Sequence, residues 1–148
     1  MDEIIKLVKT YKSQVMLGLG ILLLVIWAFC PVIDILGKEE FNGLQTSFGG
    51  KGLGFCRFCS FVCLLLPIAY LIISILKFAY GKSFCDICMV SMFVFSVLFA
   101  MAIPKGCSLS YGGSIYIFLT IIGVLFHVLV SIHPKVENSK PAPTNIAN

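Results

Sequence analysis

The stretch Gly49–Cys63, GGKGLGFCRFCSFVC, is where the chain changes from wet loop to membrane helix. Gly49, Gly50, Gly52 and Gly54 release the backbone, and from Phe55 onward the polar residues thin out into an apolar run. The stretch also holds Cys56, Cys59 and Cys63 at helical spacing, with the cation Arg57 between the first two. The composition around this edge settles the broad class. Of 148 residues 59% are hydrophobic and only 12% charged, too little polar surface for a water-soluble globule of this size. A mean hydropathy of +1.01 agrees. The net charge of +4 does not point to nucleic acid, because the lysines lie scattered at span ends instead of gathering on one face.

A bilayer span takes about 20 residues, and four fit. The expected fold is an all-α integral membrane protein, a four-transmembrane-helix bundle forming a single domain over residues 1–133. Its spans fall at about 15–36, 58–79, 86–103 and 112–132, and a disordered tail occupies 134–148. Ahead of the first span, Ile4, Leu7, Val8 and Tyr11 alternate with Lys6, Lys9 and Lys12, an N-terminal amphipathic helix that lies on anionic headgroups or anchors this end in the cytoplasm. Phe29 in Ala28-Phe29-Cys30-Pro31 is too large for a signal-peptide cleavage site, so this segment is expected in the mature protein. Pro31 is expected to kink the first span. Gly37–Gly54 reads as the longest connecting loop.

Basic residues in short connections stay on the cytoplasmic side. Lys6, Lys9, Lys12, Lys77, Lys82, Lys135 and Lys140 fall on one side, and Lys38, Lys51, Arg57 and Lys105 on the other. Seven against four places both termini in the cytoplasm of a multi-pass protein of the plasma or inner membrane. The same division puts Cys30, Cys56, Cys59 and Cys107 at the outer interface, Cys63 a turn deeper, and Cys85 and Cys88 at the inner one. Cys56-x-x-Cys59 with Cys85-x-x-Cys88 has the look of a four-thiolate zinc site. A spanning helix holds the pairs about 30 Å apart, against a zinc–sulfur bond of about 2.3 Å, so no such site is expected.

Three outcomes are open for the outer thiols. Free cysteine packs as a small hydrophobe. Cys107 could pair with Cys56 or Cys59 in a structural disulfide that staples two outer loops. A thiol near a helix N-terminus and Arg57 could instead exchange disulfides. In that respect Cys56-Arg57-Phe58-Cys59 at the outer start of a second span, with Cys107 in the next outer loop, resembles the DsbB type of membrane disulfide-generating oxidoreductase. The resemblance implies a quinone-linked pair in Cys56 and Cys59, with Cys107 as half of the pair that meets the substrate. The second outer loop carries one cysteine where that family carries two, which leaves the relay short unless Cys30 or Cys63 substitutes.

At the inner edge, Cys85, Asp86 and Cys88 begin the third span, while His127 and His133 end the fourth, and antiparallel neighbours bring those ends together. Cys85, Cys88 and His127 are weak metal candidates, since His127 and His133 lie about 120° apart on a helix. Asp86 has a plain role as an N-terminal cap near Lys82. His127 is the intramembrane polar candidate, for which a neutral imidazole bonded across the bundle is the plain reading. No phosphate-binding glycine loop, HExxH helix or GxSxG turn occurs, and no pair of carboxylates lies within the spans.

The sequence therefore points first to a cysteine-rich, non-enzymatic accessory subunit of a membrane complex. Gly18, Gly20, Ser74, Ser91, Ser96, Ala100 and Gly123 allow close helix packing, within the chain, with other subunits or with further copies of itself. Beyond the lipid bilayer and such subunits no nucleic acid and no cofactor is expected, a quinone entering only with the redox reading. The other alternative is a pore-forming, holin-like or defence-associated effector working as an oligomer, which the nearly uniform apolarity of the spans disfavours.

Overall fold

A computed structural model describes residues 2–49, 54–76 and 81–132. The chain is mostly helical. Its long helices are α1 (Asp2–Phe29), α3 (Gly54–Leu76), α4 (Gly81–Met101) and α5 (Tyr111–Ile132), and a short helix α2 (Gly43–Phe48) precedes α3. Three segments, Gly54–Leu76, Ser83–Met101 and Tyr111–Leu129, are long and apolar enough to cross a membrane, and the apolar stretch Gln14–Phe29 of α1 is shorter. This is a helical membrane protein. Each long helix packs on two others: α1 on α3 and α5, and α4 on α3 and α5.

The all-α expectation needs correction at the first connection. Helix α1 ends at Phe29, and Pro31 opens a strand, β1 (Pro31–Ile35), instead of kinking a span that continues to residue 36. Proline disfavours the helical region for the residue before it and has no N–H to continue the ladder, while Val32, Ile33 and Ile35 suit a pleated surface. The loop expected over Gly37–Gly54 contains β2 (Glu39–Asn42) and α2, and the later connection contains β3 (Cys107–Leu109). Together they make an antiparallel sheet in the order β2-β1-β3. Ile33 pairs with Phe41 on one side and Leu109 on the other, and Ile35 with Glu39 and Cys107.

The hairpin between β1 and β2 turns through Leu36 (φ 54) and Gly37 (φ 66), closed by Lys38 N–H donating to the Ile35 carbonyl at 2.9 Å. Two successive positive φ values define the turn whose twist matches the flanking strands. Asp34 Oδ1 accepts from Gly37 N–H at 3.0 Å, which braces it. Asn42 then caps α2 reciprocally with Gln45: Asn42 Oδ1 accepts from Gln45 N–H at 2.8 Å, and Gln45 Oε1 from Asn42 N–H at 3.1 Å.

At the start of the chain, the expected amphipathic segment is the first part of the continuous helix α1, and its side chains lie outside the described residues. The expected disordered tail 134–148, His133 and the Lys77 turn lie outside them too. Of the small residues, Gly20 lies against Tyr70 and Leu71, and Gly123 against Met89 and Leu19, whereas Gly18 faces open space.

Candidate functional site

Two clusters hold the chemistry-bearing side chains, one at each end of α3. The sheet end is built around Trp27, fully buried at the last turn of α1. Its indole Nε1–H donates to the Ser60 carbonyl of α3 at 3.1 Å. Its rings pack on Phe99 of α4 (centroids 5.0 Å, 72°) and Tyr116 of α5 (4.5 Å, 57°), so one residue touches every other long helix. Gly43 of α2 rests on the same indole, where a Cβ would collide with the Trp27 ring and carbonyl. Ser47 Oγ–H donates to the Gly43 carbonyl at 2.7 Å, and Ser60 Oγ lies 3.1 Å from that carbonyl and 2.9 Å from Ser47 Oγ.

Pro67 sits inside α3 and cannot donate to the carbonyl four residues back, that of Cys63. Tyr116 O–H fills the vacancy, donating to the Cys63 carbonyl at 3.1 Å. This contact explains why a proline is tolerated in a span: the partner it lacks comes from α5.

Cys56, Cys59 and Cys63 share the buried face of α3, each at 0% exposure. Cys107, on β3, is half-buried against the core cluster that contains Cys56, Cys59 and Cys63. Cys30 is half-buried beside the same core, and every described cysteine is a free thiol. Arg57 is turned away from these thiols. Its Nε–H donates to the Ser47 carbonyl at 2.7 Å and its Nη2 to that of Phe48 at 3.4 Å, so the cation serves the C-terminal end of α2. The arrangement thus gathers Cys56, Cys59 and Cys63 in the core, while Cys30 and Cys107 beside it stay half-buried.

At the far end, Cys85 of α4 contacts Ser74 of α3, with Sγ 3.6 Å from Oγ. Ser74 is about 27 Å along the helix from Cys56, so the two cysteine pairs stand at opposite ends of α3. Among the described residues no group of three or more His, Cys, Asp or Glu gathers closely enough to hold a metal ion. His127 is buried and bonded at both nitrogens: Nδ1 to Asp86 Oδ1 of α4, and Nε2 to the Tyr70 hydroxyl of α3 at 3.1 Å. A carboxylate only accepts, so in the neutral ring the proton is on Nδ1 and Tyr70 O–H donates to Nε2. Three helices are clasped by one imidazole. Because α4 begins at Gly81, Asp86 lies past the first turn and serves His127 instead of capping its helix.

The meeting of Asp86 with His127 follows from the antiparallel order of α4 and α5. Tyr70 is the member that sequence reasoning missed; its only signal is a phenol in the middle of an apolar span, which must find a partner when buried. Among the described residues no buried side-chain nitrogen or oxygen lacks a hydrogen-bond partner. Comparison of the chain with protein-family models, with curated proteins and with solved structures finds no match.

Proposed function

We propose that the chain is a non-enzymatic accessory subunit of a membrane complex, multi-pass in the plasma or inner membrane, that presents its sheet to a partner subunit. In this reading α1 is the fourth span, its apolar stretch Gln14–Phe29 covering about 24 Å of a hydrocarbon core of about 30 Å and the preceding turns of the same helix reaching the interface. Both termini are then cytoplasmic and the sheet lies outside, in keeping with the distribution of lysines. No cofactor is required.

The observation that carries the reading is Leu36. It holds a left-handed conformation that bulky residues avoid, in a turn suited to Asn-Gly, and exposes 73% of its surface at the tip of the hairpin. Backbone strain combined with an exposed apolar side chain costs stability without benefiting the fold, and retained strain concentrates where function needs it. Leu36→Asn separates the two roles. The variant is expected to be as stable as the parent or more so, by about 1 kcal/mol, while losing a partner captured by mild-detergent pull-down from the native membrane. A parent chain that purifies alone, or a variant that keeps the same partner, would sink the reading.

A second reading, thiol–disulfide exchange by Cys56 and Cys59 with a quinone, draws on the packing of Cys107 against the core cluster that holds both. An oligomeric pore, with its lumen between copies of the chain, draws on no observation among the described residues.

A further inference from the structure

Where α3 begins, Ser47, Phe48, Gly54, Arg57, Phe58 and Phe61 line an open groove. Its walls are aromatic: Phe48 and Phe61 meet edge to face at 5.8 Å, and Phe58 packs on Phe95 of α4 at 6.2 Å. Among the described residues its one charge is Arg57. Two of the five guanidinium N–H groups are used on the Ser47 and Phe48 carbonyls, which immobilise the side chain. The ion pair among the described residues is His127 with Asp86, so no described carboxylate neutralises Arg57. The cation also stands in the first turn of α3, whose own N-terminus carries partial positive charge. The groove is thus positive at its head. Below Phe58 and Phe61 the same face continues through exposed Leu65, Ile68 and Ile72 down the span.

We propose that this groove binds one anionic phospholipid, its phosphate on the Arg57 guanidinium and an acyl chain laid along Phe58 and Phe61 toward Leu65. Charge and position select this occupant. A fixed guanidinium presents its remaining N–H groups to a phosphate oxygen as charge-assisted donors, and the positive charge at the head of the groove favours a lipid of net negative charge over a zwitterionic one whose choline cation it repels. An apolar track leading from an anion site into a membrane span matches a molecule with a phosphate at one end and hydrocarbon at the other. The inference needs only that α3 crosses the membrane, and stands apart from the accessory role.

The test titrates the full-length chain in detergent with phosphatidylglycerol, phosphatidylcholine of the same acyl chains, or inorganic phosphate, and counts retained molecules by native mass spectrometry. The expected result is one phosphatidylglycerol per chain, retained about tenfold over phosphatidylcholine and not displaced by inorganic phosphate at equal concentration. Arg57→Gln should abolish the preference. Since Arg57 also holds α2, Phe58→Ala provides the second arm: it leaves the guanidinium in place and should lower retention several-fold while keeping the preference for the anionic lipid. Equal retention of the two lipids, an unchanged preference in Arg57→Gln, displacement by inorganic phosphate, or unchanged retention in Phe58→Ala would each overturn the proposal.

Discussion

The two ends of the helical core are fastened by different kinds of bond. At the sheet end, polar side chains reach backbone carbonyls: Trp27 to Ser60, Tyr116 to Cys63, Arg57 to Ser47. At the other end side chain meets side chain, in Tyr70–His127–Asp86. A carbonyl has one chemical state, whereas an imidazole and a carboxylate have two each. The first kind of fastening therefore depends on packing alone, and the second on the identity of ionisable groups. The difference teaches where chemistry could have been placed: the end that holds most of the cysteines is fastened onto backbone carbonyls, which do not titrate, and its buried sulfurs are part of the packing.

The largest effect should come from Trp27→Ala, which removes two aromatic contacts, an indole hydrogen bond and the floor beneath Gly43. A loss of about 3–5 kcal/mol is expected in reversible detergent unfolding, with the sheet losing order first. A loss under about 1 kcal/mol would break the comparison by showing that Trp27 is not what joins the helices at that end.

Next in size is His127→Ala, which separates three helices at the other end and leaves the Tyr70 hydroxyl unpartnered. About 1–2 kcal/mol is expected from the same unfolding measurement, with Tyr70→Phe in the His127→Ala background adding little, since the two share one bond. Additive losses would mean that Tyr70 and His127 act separately.

The smallest and sharpest test concerns Pro67. Tyr116→Phe should cost about 1 kcal/mol, because the Cys63 carbonyl loses the donor that stands in for the N–H Pro67 lacks. In a Pro67→Ala background the helix supplies its own N–H, so the same change should be close to neutral. Equal costs in both backgrounds would show that the phenol does not compensate for the proline.

Much of this was legible in the sequence. The apolar runs gave the long helices, and the antiparallel order brought Asp86 to His127. The sheet was not legible, for two physical reasons. Pro31-Val32-Ile33-Asp34-Ile35 is as apolar as the end of a span, and composition cannot tell a strand from a helix terminus over so short a run. Its partner Cys107–Leu109 lies more than two helices away, and the turn is built on Leu-Gly in place of the telltale Asn-Gly. Within the candidate site, cysteine spacing revealed the shared helix face but not which way it points. Arg57 looked like an activator of its neighbours, yet helix geometry turns residue 57 away from the side that Cys56 and Cys59 occupy. The one readable signal left unused was Asn42-x-x-Gln45, a capping box that announces α2.

The claim that these sulfurs serve packing and not exchange is open to direct measurement by timed alkylation of the protein in its native membrane, read residue by residue by mass spectrometry. The account predicts that Cys56, Cys59 and Cys63 stay reduced and resist a membrane-impermeant reagent until the chain is unfolded, while half-buried Cys107 reacts sooner. Recovery of Cys56 and Cys59 as a disulfide that a reductant opens and the membrane's quinone pool closes again would contradict it.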